Sequence, residues 1–251
     1  MKILAIETAS EACSAALLIS DENGNQKIHE QIELTPRQHA KKILSMLDKV
    51  LEEAKLELKD VDAIAFGRGP GAFTGLRIAA GVAQGVALSV DKPVVPVSTL
   101  AALALRAVDE INAIGKEKEY KGEIIATALD ARMGEVYWGL FKQRESDGQI
   151  ESLGEEQVSK PEDMSQSLLK KMEEIGENQV ITIGAGWDVY KDEIFQEANA
   201  ENTTHLENLS PMASEIAKLA QTLFHKGRTV APENAQPVYL RNNVAKKSKK
   251  Q

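Results

Sequence analysis

The stretch Phe66-Gly67-Arg68-Gly69-Pro70-Gly71-Ala72-Phe73-Thr74-Gly75-Leu76-Arg77 is the part of the chain best suited to chemistry, because backbone amides in a glycine-rich turn can surround a phosphate. Its spacing argues against that use. No lysine follows Gly75, so a GxxxxGK phosphate loop is absent, and Gly67, Gly69 and Gly71 run into Ala72, Phe73 and Thr74 rather than GxGxxG. Hydrolytic chemistry has no better foothold. There is no GxSxG elbow, Ser10, Ser14 and Ser98 have no histidine nearby in sequence, and His29, His39, His205 and His225 form neither HxxxH nor HExxH. Neither a catalytic residue, a metal nor a cofactor is expected.

Three further turns carry weaker signals. Ile6-Glu7-Thr8-Ala9-Ser10 stands where actin-like kinases place an aspartate followed by a Gly-Thr phosphate loop. Here Glu7 replaces that acid, and no glycine lets the backbone approach a phosphate. Asp130-Ala131-Arg132 opens a hairpin that has no glycine until Gly134, and Ile183-Gly184-Ala185-Gly186-Trp187 has the form of an adenosine-side loop. Singly, each is a structural turn. Together Glu7, Thr8, Asp130, Arg132, Gly184 and Gly186 read as a nucleotide-binding scaffold whose phosphate chemistry has been weakened.

The elements that must position these turns follow from apolar periodicity. Lys2–Thr8, Ser14–Ile19 and Lys27–Leu34 are strands joined by short turns, an antiparallel meander. Thr35-Pro36 opens a helix to Ala54, with Ala40, Ile43, Leu44, Leu47, Val50, Leu51 and Ala54 on the buried face and Met46 off it. Val61–Phe66 is a buried strand, Thr74–Val90 a helix, Pro93–Val97 a strand, and Ser98-Thr99 caps a helix to Ile111. Gly115–Lys121 reads as a linker, after which the plan starts again. Strands are expected at Gly122–Asp130, Gly134–Gln143, Gln179–Ile183 and Gln236–Leu240, with helices at Pro161–Ile175 and from Ser210-Pro211 to His225. The fold class is α/β with two similar lobes. Residues 1–110 form the N-terminal lobe and 111–210 the C-terminal lobe; 211–240 are a closing helix and strand returning to the first lobe, and 241–251 a basic flexible tail.

Composition limits the function classes. A net charge of -8 argues against a broad nucleic-acid surface, leaving only the basic tail for a salt-sensitive phosphate contact. Cys13 is the single cysteine, so no intramolecular disulfide forms. No apolar run reaches membrane-spanning length and no signal peptide is evident, so a cytoplasmic protein is expected and the Asn202-Thr203-Thr204 sequon has no use.

The helix Thr74–Val90 is unusual in carrying Gly75, Ala79, Ala80, Gly81, Ala83, Gly85 and Ala87. A glycine inside a helix costs about 1 kcal/mol against alanine, so several require a reason. Gly81 and Gly85 share one face, with Ile78, Val82 and Leu88 as a core-facing edge. Two readings stay open: tight packing within the chain, or a groove for a helix of a second protein, with Arg77, Gln84 and Met46 as its mixed border.

Lys2–Ala9, Gly69–Arg77, Leu129-Asp130-Ala131-Arg132-Met133-Gly134-Glu135-Val136-Tyr137 and Pro237-Val238-Tyr239-Leu240-Arg241 together resemble the TsaB (YeaZ) family nearly end to end. Many members have Ser at Ala72 and Gly at Ala79, both small-for-small changes. The resemblance implies an actin-like, Hsp70-like ATPase (ASKHA, ribonuclease H-like) fold and a part in adding threonylcarbamoyl to N6 of adenosine 37 in tRNAs reading ANN codons. It further implies a non-catalytic paralogue that supports the TsaD transferase, joined by the TsaE ATPase, touching tRNA only within that complex, and forming homodimers in isolation. TsaD-like proteins carry a metal-binding HxxxH where this chain has Thr99 and Leu103. The implied contact uses helices 36–54 and 74–90, with His39, Ile43, Met46, Arg77, Ile78, Gly81, Gln84 and Gly85 as interface residues. The alternatives are a glycoprotease-like peptidase, or a small-molecule kinase of the same fold.

Overall fold

Two five-strand paths with the same order make up the computed structural model, which describes residues 1–34, 37–115, 123–176, 179–195 and 203–241. The first sheet uses β1 (Lys2–Glu7), β2 (Cys13–Ser20), β3 (Gln26–Glu33), β4 (Ala63–Gly69) and β5 (Val94–Ser98), in the order β3-β2-β1-β4-β5. The second uses β6 (Ile124–Arg132), β7 (Glu135–Gln143), β8 (Ile150–Ser152), β10 (Val180–Ile183) and β11 (Thr203–Leu206), in the order β8-β7-β6-β10-β11, and β9 (Gln157–Ser159) also pairs with β7. In each, the first three strands are antiparallel and the last two add in parallel. Helices α1 (His39–Ala54), α2 (Phe73–Ser89) and α3 (Thr99–Ala113) belong to the first set, and α4 (Pro161–Ile175), α5 (Ala185–Phe195) and α6 (Ala213–His225) to the second.

Both faces of β1 are covered, which is why Lys2–Glu7 is an almost unbroken apolar run rather than an alternating one. Leu4 and Ile6 point into a core with α1 and α2, while Ile3 and Ala5 point the other way, into a core with Ala213, Ile216, Ala217 and Ala220 of α6. The same holds for β6. Ile124, Ala126 and Ala128 meet α4 and α5, and Ile125 and Leu129 meet Leu100, Leu103, Ala104 and Ala107 of α3. The closing helices are therefore crossed: α3 covers the second sheet and α6 covers the first. Where they meet, Lys218 Nζ lies 2.7 Å from Asp109 and Arg106 Nη1 lies 3.6 Å from Glu215. Burial pushes the Glu215 carboxyl up to about 7, with Arg106 pulling the other way.

The structure corrects several expectations. Helix α1 starts at His39, because Arg37 has φ of 66° and Gln38, at φ -108° and ψ 2°, is the N-cap outside the helical range, so neither belongs to a helix begun at Pro36. Its buried face is rotated: His39 and Met46 point inward, and Leu44 is 54% exposed. Residues 236–240 are not a strand but an extended segment lying across the molecule, and α6 begins at Ala213, two residues after Pro211. The short strands β8, β9 and β11 escape periodicity, and α5 begins within the turn expected as a loop. Pro36, residues 116–121 of the expected linker, Asn202 and the tail 242–251 lie outside the described residues. Among the described residues no helix is long and apolar enough to cross a membrane.

Candidate functional site

The glycines of the first turn are occupied by their own chain. A methyl group on Gly75 would overlap the Thr8 carbonyl oxygen, and one on Gly71 would sit 2.8 Å from the Ala9 carbonyl oxygen. The Ala72 amide donates to Ala9 O at 2.8 Å, and Thr8 Oγ1 donates to Gly75 O at 2.7 Å. A methyl on Gly67 would overlap the Glu7 carboxylate. Residues Glu7–Ala9 thus fill the space against Gly67, Gly71 and Gly75 at the start of α2. The second lobe repeats the arrangement. A side chain on Gly184 (φ 105°) would overlap Ala128 O, and one on Gly186 would come within 2.9 Å of Leu129 N.

The structure places Glu7 and Thr8 at the carboxyl end of β1, Asp130 and Arg132 at that of β6, and Gly184 and Gly186 just after β10, pressed on Ala128 and Leu129 of β6. Asp130 Oδ1 accepts from the Arg132 amide at 2.7 Å and from Tyr190 Oη at 3.3 Å. Glu7 is fully buried. Its Oε1 accepts from the Ala9 amide, whereas Oε2 and the neighbouring Thr99 Oγ1 make no hydrogen bond that meets normal geometry. Burial pushes the Glu7 carboxyl up to about 7, against the opposing pull of the Ala9 and Thr8 amides and the Thr99 hydroxyl.

Helix α2 has two unlike faces. Gly75, Leu76, Ala79, Ala80, Ala83 and Ala87 are buried against the first sheet and α1. Gly81 and Gly85 lie on the opposite side, where added methyl groups would meet nothing within 4 Å. The intrachain packing reading therefore fails for these two glycines and holds for Gly75. Arg77 and Leu88 share their exposed stripe, so Leu88 is not core-facing. Ile78 is half-buried against the core, and Gln84 Nε2 donates to Ala235 O at 2.8 Å. His39, Ile43 and Met46 are buried inside the protomer, Met46 with its sulfur 3.7 Å from Cys13 Sγ, and so offer no surface to a partner. The exposed residues of that stretch are Ala40, Lys41, Leu44 and Ser45, with Leu44 the large apolar one.

Two groups were missed from sequence. His205 Nδ1 lies 2.9 Å from Thr182 Oγ1 and His205 Nε2 lies 3.0 Å from Asp188 Oδ1, a hydroxyl–imidazole–carboxylate chain. Thr182 is completely buried, so no substrate reaches its hydroxyl and the chain is a strut between β10, β11 and α5. Thr182 and His205 are register partners on adjacent parallel strands, a relation no linear spacing reveals. The second group is a cleft of about 500 Å³ between the lobes, bounded by Arg68, Ser98, Phe141, Glu156, Val238 and Leu240. Glu156 accepts from Ser98 Oγ and pairs with Arg68 at 3.3 Å. It sits in a stretch with no motif.

The family model "TsaD: tRNA N6-adenosine threonylcarbamoyltransferase" matches residues 19–249. The chain is 39% identical over 248 residues to the tRNA threonylcarbamoyladenosine biosynthesis protein TsaB of Escherichia coli (strain K12), covering 98% of this chain and 96% of that one. It is 37% identical to the Haemophilus influenzae protein of the same name, covering 97% and 95%. This chain belongs to the TsaB family. Among solved structures, YeaZ from Pseudomonas aeruginosa superposes with a TM-score of 0.77 at 38% identity, covering 95% of this chain and 99% of that one. The TsaB assignment carries the α/β, actin-like fold with it, and the duplicated sheets are its two lobes.

Two predictions separate the glycines and test the buried acid. Gly75→Ala should destabilise the protein by about 1–3 kcal/mol, since the Thr8 backbone must move. Gly81→Ala and Gly85→Ala should each stabilise it by about 0.5–1 kcal/mol, all read from urea unfolding midpoints. Glu7 is raised in the folded state, so its contribution is complete below its unfolded value of 4.5 and is lost as pH rises through about 7. The unfolding midpoint of the wild type should thus fall between about pH 5 and about pH 8, and Glu7→Gln should flatten that fall.

Proposed function

We propose that this chain is the non-catalytic scaffold of a tRNA-modifying complex, binding and supporting a TsaD-type transferase that adds threonylcarbamoyl to N6 of adenosine 37. The observation that carries the reading is the bare stripe of α2. Gly81 and Gly85 weaken the helix and receive no packing from their own chain, so the close approach they permit serves another backbone. Gly81, Gly85, Arg77 and Leu88, with Ile78 and Gln84 at the border, form the contact, and Leu44 of α1 is a further exposed apolar side chain. His39, Ile43 and Met46 support that surface from within. In isolation the same stripe accepts a second copy.

The non-catalytic role is supported by the filled turn at Glu7–Ala9 and by Thr99 and Leu103, both wholly buried, at the positions that resemble the transferase's histidine pair. Among the described residues no three His, Cys, Asp or Glu side chains converge to hold a metal. The complex works in the cytoplasm, with a TsaE-type ATPase as third member and tRNA bound by the assembly.

Gly81→Leu and Gly85→Leu should fold normally yet lose co-elution with TsaD. Either variant eluting with TsaD at wild-type affinity would overturn the assigned interface. Expression of the wild-type chain in a bacterium depleted of TsaB should restore the modified base; pairing with the resident TsaD without restoration would overturn the assigned role.

A further inference from the structure

After Val230 bridges to Val94, the chain makes a short turn at Pro232–Asn234 and then crosses from one lobe to the other as residues 235–241. Its first half lies on α2 and the turn before it. Gln84 holds Ala235 O, the Val238 amide donates to Arg68 O at 2.8 Å, and Tyr239 stacks on Phe73 with ring centres 5.4 Å apart. Arg77 Nε donates to Tyr239 Oη at 3.2 Å while its guanidinium lies 3.9 Å over the Phe73 ring. The second half reaches the β6–β7 hairpin. Arg241 pairs with Glu135 and donates to Arg132 O at 3.4 Å, with Met133 Sδ 3.8 Å away.

Between these two anchors, Val238 and Leu240 line the interlobe cleft beside Arg68, Ser98 and Glu156. Among the described residues, the backbone–backbone hydrogen bonds of this segment to the rest of the chain are Ala235 N–H to Pro232 O, inside the turn that precedes it, and Val238 N–H to Arg68 O, so past the turn side chains do most of the fastening. A segment held in that way opens at lower free energy than a strand in a ladder.

The geometry points to a clasp: residues 235–241 couple the exposed surface of α2 to the β6–β7 hairpin and form the movable wall of the interlobe cleft. Arg77 is both the first member of the bare α2 stripe and the hydrogen-bond donor to Tyr239. A change at that stripe is therefore passed along the clasp to Arg241 and Glu135. This holds whichever protein covers α2, so it stands apart from the identity of the partner.

The test perturbs one end and reads the other by amide hydrogen exchange on the full chain. Arg77→Ala should speed exchange at the hairpin tip, Arg132–Glu135, by about three- to tenfold. Glu135→Ala should do the same for the Val238 amide. Amides of β2 and of α1 should keep their wild-type rates, which shows that the fold is intact. If each variant alters only the end that carries it and leaves the far end at the wild-type rate, the two anchors act separately and the clasp is refuted.

Discussion

The approach of the Thr8 carbonyl to the first turn of α2 is the contact around which this molecule is arranged. It leaves no room for a Cβ at Gly75, fixes where α2 leaves the sheet, and ties the end of β1 to the helix through Thr8 Oγ1 and the Ala72 amide. The second lobe repeats it with Ala128 pressed on Gly184 and Gly186. In both lobes a strand, a glycine turn and a helix close on the end of the neighbouring hairpin strand. Side-chain substitutions elsewhere can be absorbed by rotamer changes; a backbone carbonyl against a missing Cβ cannot, because neither atom has anywhere to go.

This constraint divides the glycines by purpose. Gly67, Gly71 and Gly75 are small because their own chain presses on them, whereas Gly81 and Gly85 are small with nothing near. The alanines between them face the sheet, so one helix is core on one side and exposed backbone on the other. A lone protomer gains nothing from the second side, and helix propensity alone would have selected alanine there. The clasp begins at the amino-terminal end of that same face, at Arg77, which makes this end of α2 a junction between surface and cleft.

Much of this was legible because burial on both faces leaves continuous apolar runs. β1, β4, β6 and β10 were readable for that reason, as were α2 and α4 from their helical spacing. Strands of three or four residues such as β8, β9 and β11 carry too few positions for a period to emerge. Leu44 looks like core and Met46 like surface if the face is drawn through Ala40; the actual face runs through His39, whose imidazole is buried despite its polarity. The segment 236–240 has the residues of a strand but makes no ladder, since its bond from Val238 N–H to Arg68 O stands alone and Tyr239 is held by the side chains of Phe73 and Arg77. The glycines of α2 left two meanings open, since a sequence does not say whether a missing Cβ is matched by a partner or by the chain itself.

The crossed helices have a consequence for how the protein is made. The first lobe's five strands and two helices are complete in sequence by Ser98, yet the face formed by Ile3, Ala5, Ala63 and Ala65 has only part of its cover, from Ala102 of α3, until α6, residues 213–225, has been synthesised. Meanwhile α3, already made, waits for β6 and β10 to supply its own apolar seat. Synthesis must therefore run through β11, residues 203–206, before the second lobe can finish its core, and through α6 before the first can. The two lobes look like separate units and mature as one, with a sheet face that stays incompletely covered until α6 is made.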